Sequence, residues 1–309
     1  MKKSNYLMLL ASLLIIPITS CKDTNDNSNE STSQKVDENS YTKDLSYSLS
    51  TDGTSYILVG KGSAYDINIK IPSTYEGKPV TEIANYAFMN SNISTLEMPS
   101  SITKIGDLAF ENCKYLYKIT LSSQLESIGT YCFSKCSQLS EIKIPNSVTF
   151  IGESAFEQCN KLSYVKLSSK ITTIEPGTFI GCSSLETIVF PESLTRIGGD
   201  AFHGCESLKQ VELKNISTIE SYTFAYCSSL KEITIPESVE LIDTGAFLEC
   251  SSLETITITT GLKRIKESAF KNCTSLNTIY YSGTNDQWNK IKIDSNNDSL
   301  LNARIYKEQ

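Results

Sequence analysis

Ten cysteines, a single histidine and 35 acidic residues are the groups in this 309-residue chain that could do chemistry. Eight of the cysteines recur at one spacing: Cys113, Cys136, Cys159, Cys182, Cys205, Cys227, Cys250 and Cys273. Each stands three residues after a phenylalanine, in the series Phe88, Phe110, Phe133, Phe156, Phe179, Phe202, Phe224, Phe247 and Phe270, and Ser91 takes the thiol's place in the first copy. Cysteines at one position of a repeat form a column of parallel side chains. A disulfide needs Cβ atoms directed at one another, so the column reads as buried thiols filling small apolar spaces, with bridging as the alternative. A zinc site would need a closed cluster of ligands, and a column gives a line. Cys132 stands where other copies carry Ala109, Ala155 and Ala201, which favours size matching over redox work.

The remaining candidates lead away from catalysis. His203 follows Phe202 at a place that varies between copies, and a Ser-His-Asp triad has no other histidine to draw on. Asp294, Asn296, Asn297 and Asp298 form a short acidic run without the glycine and distal glutamate of a calcium loop, and they read as a solvated cap loop. There is no phosphate-cradling glycine loop. The expectation is no enzyme, no catalytic residue, no metal and no cofactor. A formal charge of −7 argues against a nucleic-acid footprint.

The elements that position these residues follow from the period. Steps of 22 or 23 residues mark a stacked-repeat solenoid. One copy runs Ile128-Gly129, Phe133, Cys136, Leu139, Ile142, Ile144-Pro145, Val148, Ile151. Alternation at Glu141-Ile142-Lys143-Ile144 predicts a strand with isoleucines inward. The prediction is a leucine-rich-repeat-like solenoid of about nine repeats. Each has one parallel strand plus short turns, 3₁₀ or helical segments, and caps close both ends. Pro99, Pro145, Pro191 and Pro236 end strands because proline offers no amide hydrogen. Gly106, Gly129, Gly152 and Gly198 are expected at tight bends. Trp288 is expected to pack in the C-terminal cap.

The outward strand positions vary while the inward ones stay apolar. Lys118, Glu141, Lys143, Tyr164, Lys166, Gln210 and Glu212 are the candidate ligand-contacting residues, with Tyr164 and Lys166 at mid-stack.

At the N-terminus, Lys2 and Lys3 precede an apolar stretch, Leu7–Ile16, that is too short to span a bilayer. The domain reading is a signal peptide at 1–20, a polar tether at 21–44, an N-terminal cap at 45–82, repeats at 83–281 and a C-terminal cap at 282–309. The tether composition cannot repay the entropy of ordering.

Two resemblances sharpen the reading. Ile18-Thr19-Ser20-Cys21 resembles the lipobox of bacterial lipoproteins, which implies cleavage before Cys21 and a diacylglycerol on its sulfur. The pattern Ile-Gly-x-x-Ala-Phe-x-x-Cys-x-x-Leu-x-x-Ile-x-Ile-Pro resembles the BspA-type leucine-rich repeat of bacterial surface proteins. Tyr280-Tyr281-Ser282-Gly283-Thr284 and Gln287-Trp288 resemble that family's closing segment. The N-terminal reading gives the expectation of an exported chain, lipid-anchored at a bacterial membrane or outer surface, and a monomer is expected. The BspA-type resemblance implies an adhesin-like role toward an extracellular protein or glycan, host matrix proteins included. The membrane is touched through the lipid alone. An envelope scaffold without a host ligand is the alternative.

Overall fold

A lone coil of this repeat leaves a phenylalanine, a leucine and several isoleucines in water, so it must bury them against its neighbours. The computed structural model describes residues 41–307, and there the coils stack in that way. The expected signal peptide, Cys21 and most of the expected tether lie outside the described residues. Among the first residues described, Thr42 donates its N–H to the Lys70 carbonyl at 3.0 Å, and its hydroxyl accepts from the Lys70 N–H at 2.9 Å.

Each coil contributes one outward-facing strand segment to a parallel ladder. The strands are β1 (Asn68–Lys70), β2 (Thr95–Glu97), β3 (Lys118–Thr120), β4 (Glu141–Lys143), β5 (Tyr164–Lys166), β6 (Glu232–Ile235), β7 (Thr255–Ile258), β8 (Thr278–Tyr281) and β9 (Arg304–Lys307). Between β5 and β6 the coils carry only a single bridge, Thr187 to Gln210. Inward residues lie in register, as in Ile142 beside Val165 and Ile233 beside Ile256.

A second ladder, which the one-strand-per-repeat reading did not include, runs along another side. Its strands span about two residues each, such as Lys104–Ile105, Ser127–Ile128 and Phe150–Ile151, and they too pair in parallel. Two residues are too few for alternation to announce a strand. Its first member, Lys78–Ile83, is flanked by Tyr56–Gly60, which forms an antiparallel hairpin with Ser46–Leu49.

The nine phenylalanines form one buried column. Successive rings stack at 5.1–5.6 Å between centroids, with interplanar angles of 3–17°. Offset stacking at this separation is favourable beyond the area buried. Backbone bonds follow the rings: Phe88 N–H donates to Ala109 O at 2.7 Å and Phe133 N–H to Ala155 O at 2.8 Å.

The segment around each phenylalanine is a run of hydrogen-bonded turns rather than a helix. The residues two before and two after the ring have positive φ, as at Tyr131 (52°) and Lys135 (62°) or Ser154 (50°) and Gln158 (55°). A helix cannot form through alternating left-handed residues. Asn90, Asn112, Gly181, Gly204 and Asn272 occupy the later position in five copies, and these residue types tolerate that conformation.

Gly106, Gly129 and Gly152 serve close approach rather than a bend. A Cβ on Gly106 would lie 2.5 Å from Asn85 N, and one on Gly129 2.5 Å from Asp107 N, in the preceding coil.

The C-terminal end is closed by α1 (Asn285–Trp288), α2 (Asp298–Leu301) and β9, which adds to β8. Trp288 packs partly buried against the core, edge-to-face on Tyr281 at 5.2 Å. The acidic run is not a solvated loop throughout, because Asn297 is buried. Its side-chain oxygen accepts from Phe270 N–H at 2.9 Å, replacing the carbonyl that the next coil supplies everywhere else. Its amide donates to Lys266 O and Asp294 O, both at 2.9 Å.

Candidate binding face

The side chains best placed for chemistry are sealed. The eight repeat cysteines and Cys132 are free and buried. Each repeat thiol donates to the carbonyl of the phenylalanine one coil earlier, from 3.0 Å at Cys113 to 3.3 Å at Cys205 and Cys227. Burial pushes the thiols of Cys113, Cys159 and Cys273 up to about 12, and those of the others in the same direction. A thiol protonated at neutral pH and walled from solvent is neither nucleophile nor metal ligand. His203 is half-exposed, bonded to Asp200 at 2.9 Å and stacked on Tyr226 at 5.2 Å. Among the described residues, no group of three or more metal-binding side chains converges.

The outward residues of the first ladder are open. Lys118 lies on β3, Glu141 and Lys143 on β4, Tyr164 and Lys166 on β5, and all five are exposed. Gln210 sits at the isolated bridge and Glu212 just beyond it, both exposed. The strand pairing brings Glu141 beside Tyr164 and Lys143 beside Lys166. The same register does not continue to Lys118 or to Gln210 and Glu212. Lys143 reaches Glu141 at only 4.0 Å, and neither Lys118 nor Lys166 forms an ion pair among the described residues. Two lysines in register on neighbouring strands repel.

The ladder is broken in three places: between β3 and β4, between β5 and the Thr187 coil, and between the Gln210 coil and β6. Proline stands at each break. In the last whole stretch the residue after a strand donates to the coil before it, as Thr259 N–H does to Ile235 O and Ser282 N–H to Ile258 O, whereas Ser122 and Ser168 hold the same place after whole junctions and make no such bond. Pro145, Pro191 and Pro236 occupy that place in the three coils that follow breaks, and they have no hydrogen to give. Before Pro99 the pairing survives, with Ile71 N–H donating to Glu97 O at 3.0 Å. Proline at this place therefore accompanies every break without being sufficient for one.

At the break between β3 and β4 lies a cleft of about 540 Å³ lined by Tyr117 to Leu121 and Ser140 to Lys143; smaller depressions, of about 290 and 400 Å³, lie over the paired strands β1–β3 and β8–β9. Ile119 and Leu121 are only partly buried there, whereas Leu96, Met98, Ile142 and Ile144 at equivalent places are fully buried. A reading of outward positions alone missed Tyr117, Ile119 and Leu121. The signal that could have found them is the alternation Met98-Pro99, Leu121-Ser122, Ile144-Pro145, Leu167-Ser168, Phe190-Pro191, Leu213-Lys214, Ile235-Pro236. Further along, Val189 stands 82 % exposed beside a second opening lined by Ile188, Phe190, Gln210 and Glu212.

No helix among the described residues is long and apolar enough to cross a membrane.

The chain is similar to several known proteins. No curated protein matches the chain. Among solved structures, a leucine-rich repeat protein from Eubacterium ventriosum is 25% identical, with a TM-score of 0.55, covering 78% of this chain and 66% of that one. A leucine rich cell surface protein from Faecalibacterium prausnitzii is 25% identical, with a TM-score of 0.44, covering 81% of this chain and 96% of that one. The leucine-rich repeat protein TpLRR of T. pallidum is 25% identical, with a TM-score of 0.44, covering 76% of this chain and 88% of that one. The family described as BspA type leucine rich repeat region matches six copies over residues 81–209 and 172–292. With that match over most of the sequence, stacked coils of Phe-x-x-Cys-x-x-Leu and an exposed parallel ladder, the chain belongs to the BspA-type leucine-rich repeat family.

Proposed function

We propose that the chain is an exported binding protein, held at a bacterial surface by lipid on Cys21, that presents its outward ladder to an extracellular protein or glycan. The observation that carries this reading is the division of labour in the coil. Inward positions repeat one apolar pattern, while Lys118, Glu141, Lys143, Tyr164, Lys166, Gln210 and Glu212 vary along an exposed face. A face of mixed charge, tyrosine and threonine on a rigid stack suits polar recognition without a large ordering cost. The lipobox-like Ile18-Thr19-Ser20-Cys21 and the surface role that the BspA-type resemblance implies supply the location. Two acyl chains suffice for a stable anchor.

The purified chain is tested against immobilised extracellular matrix proteins and glycans. Tyr164→Ala together with Lys166→Ala should weaken capture by about tenfold while leaving the melting temperature unchanged. Binding to no member of the panel counts against the reading. Labelling of Cys21 by a fatty-acid analogue, and loss of the protein on protease shaving of intact cells, test the anchor and the exposure. Recovery of an envelope protein alone after crosslinking in cells would instead mark a scaffold.

A further inference from the structure

The geometry points to an extended acidic polypeptide segment as the ligand of the cleft between β3 and β4, where it would insert as an additional strand. This rests on the binding reading above and names its ligand class.

The chemistry on offer in the cleft is backbone chemistry. In parallel pairing, alternate residues turn both N–H and C=O to the same side. The whole junctions show which side: Ile235 and Ile258, both inward residues, accept from the following coil. By the same geometry Ile119 and Leu121 direct their backbone groups toward β4, and Lys143 directs its own toward β3. No backbone hydrogen bond joins the two strands. An unpaired strand edge is a template for another strand, and here two edges face each other across about 540 Å³. Ile119 and Leu121 form an apolar floor for the inserted strand's inward side chains.

Charge selects the sequence of the guest. Lys118 and Lys143 stand on the two rims, Lys166 lies in register beside Lys143, and Glu141 is the one carboxylate among them. This local positive excess sits on a chain whose formal charge is −7. Acidic residues at the outward positions of an inserted strand would relieve the repulsion between Lys143 and Lys166. Sugars and simple anions meet the lysines equally well but leave the strand edges unpaired.

The test uses the purified full chain and a capped octapeptide alternating glutamate with valine, measured by calorimetry. The peptide should bind, and N-methylation of every second residue should weaken it by about tenfold or more. Pro145→Ala restores the N–H that faces Leu121 O. It should raise the melting temperature while weakening the peptide to a similar extent, so that loss of binding is not loss of fold. Lys118→Glu, at an exposed position, should weaken binding without changing the melting temperature. Failure of the peptide to bind overturns the inference, as does equal binding by the N-methylated peptide or by Pro145→Ala. A sulfated oligosaccharide held by the same lysines, indifferent to Pro145→Ala, also overturns it. Capture of a matrix protein by the full chain without any affinity for the peptide sinks this inference and leaves the surface-binding reading standing.

Discussion

The repeat cysteine shows how a reactive side chain becomes a structural one. Its thiol fills the space beside the phenylalanine ring and donates to a carbonyl one coil back, so each thiol links two coils. Ser91 opens the column with no earlier phenylalanine carbonyl to meet, and its hydroxyl is buried without a partner. Two outcomes follow. The thiols should resist alkylation in the native chain and react only on unfolding. Stability should also fall in alkali. A thiol that holds its proton to a higher pH folded than unfolded contributes fully below about 9, and loses that contribution as pH rises through about 12, as for Cys113 and Cys159. Chemical denaturation between pH 8 and pH 12 checks this, and Cys159→Ala should flatten the curve. The thiol column was legible in the sequence because residue identity repeats. The bonds it makes were not, because they depend on where the neighbouring carbonyl lies.

At the scale of elements, legibility depended on length. The three- and four-residue strands of the first ladder announce themselves through Glu141-Ile142-Lys143-Ile144 and its counterparts. The two-residue strands of the second ladder do not. The left-handed turns were half visible, through asparagine and glycine two residues after the ring in five copies, while Lys135, Gln158, Tyr226 and Glu249 conceal the same conformation elsewhere. Proline was read correctly as a missing donor but assigned to ending its own strand. It also stands at each broken junction with the coil before it, a relation visible only when successive coils are compared in pairs. Asn297 was unreadable as a cap, since its role comes from the position it reaches. Replacing it with alanine leaves the Phe270 N–H without its partner and removes the amide donor to Lys266 O and Asp294 O, of which Lys266 O keeps the Ala269 N–H at 3.4 Å. Asn297→Ala should cost about 1–3 kcal/mol, read by denaturant unfolding, and hydrogen exchange should rise first in the last coil. Loss of stability spread evenly over all coils would contradict this assignment.

Across the whole molecule, stability is a sum over neighbours, because each ring touches the ring before and the ring after. Phe179→Ala, at mid-stack, should cost about 3–5 kcal/mol and divide a single unfolding transition into two. Phe88→Ala, with a stacked ring on one side only, should cost less and leave one transition. Calorimetry of the two variants checks both statements. The apolar stack was legible from the period alone, whereas the expectation of one strand in every repeat did not foresee that the outward face is divided into segments of three, two and four strands.

The alternation of coils with and without a strand-end proline sets the grain of this molecule. Pro99, Pro145, Pro191 and Pro236 recur at every second coil, and the last three stand at gaps in the ladder. Insertion or loss of two coils together would keep that alternation in phase, whereas a single coil gained or lost would bring two like neighbours side by side. The spacing of the gaps is thus preserved only by changes of length in pairs of coils.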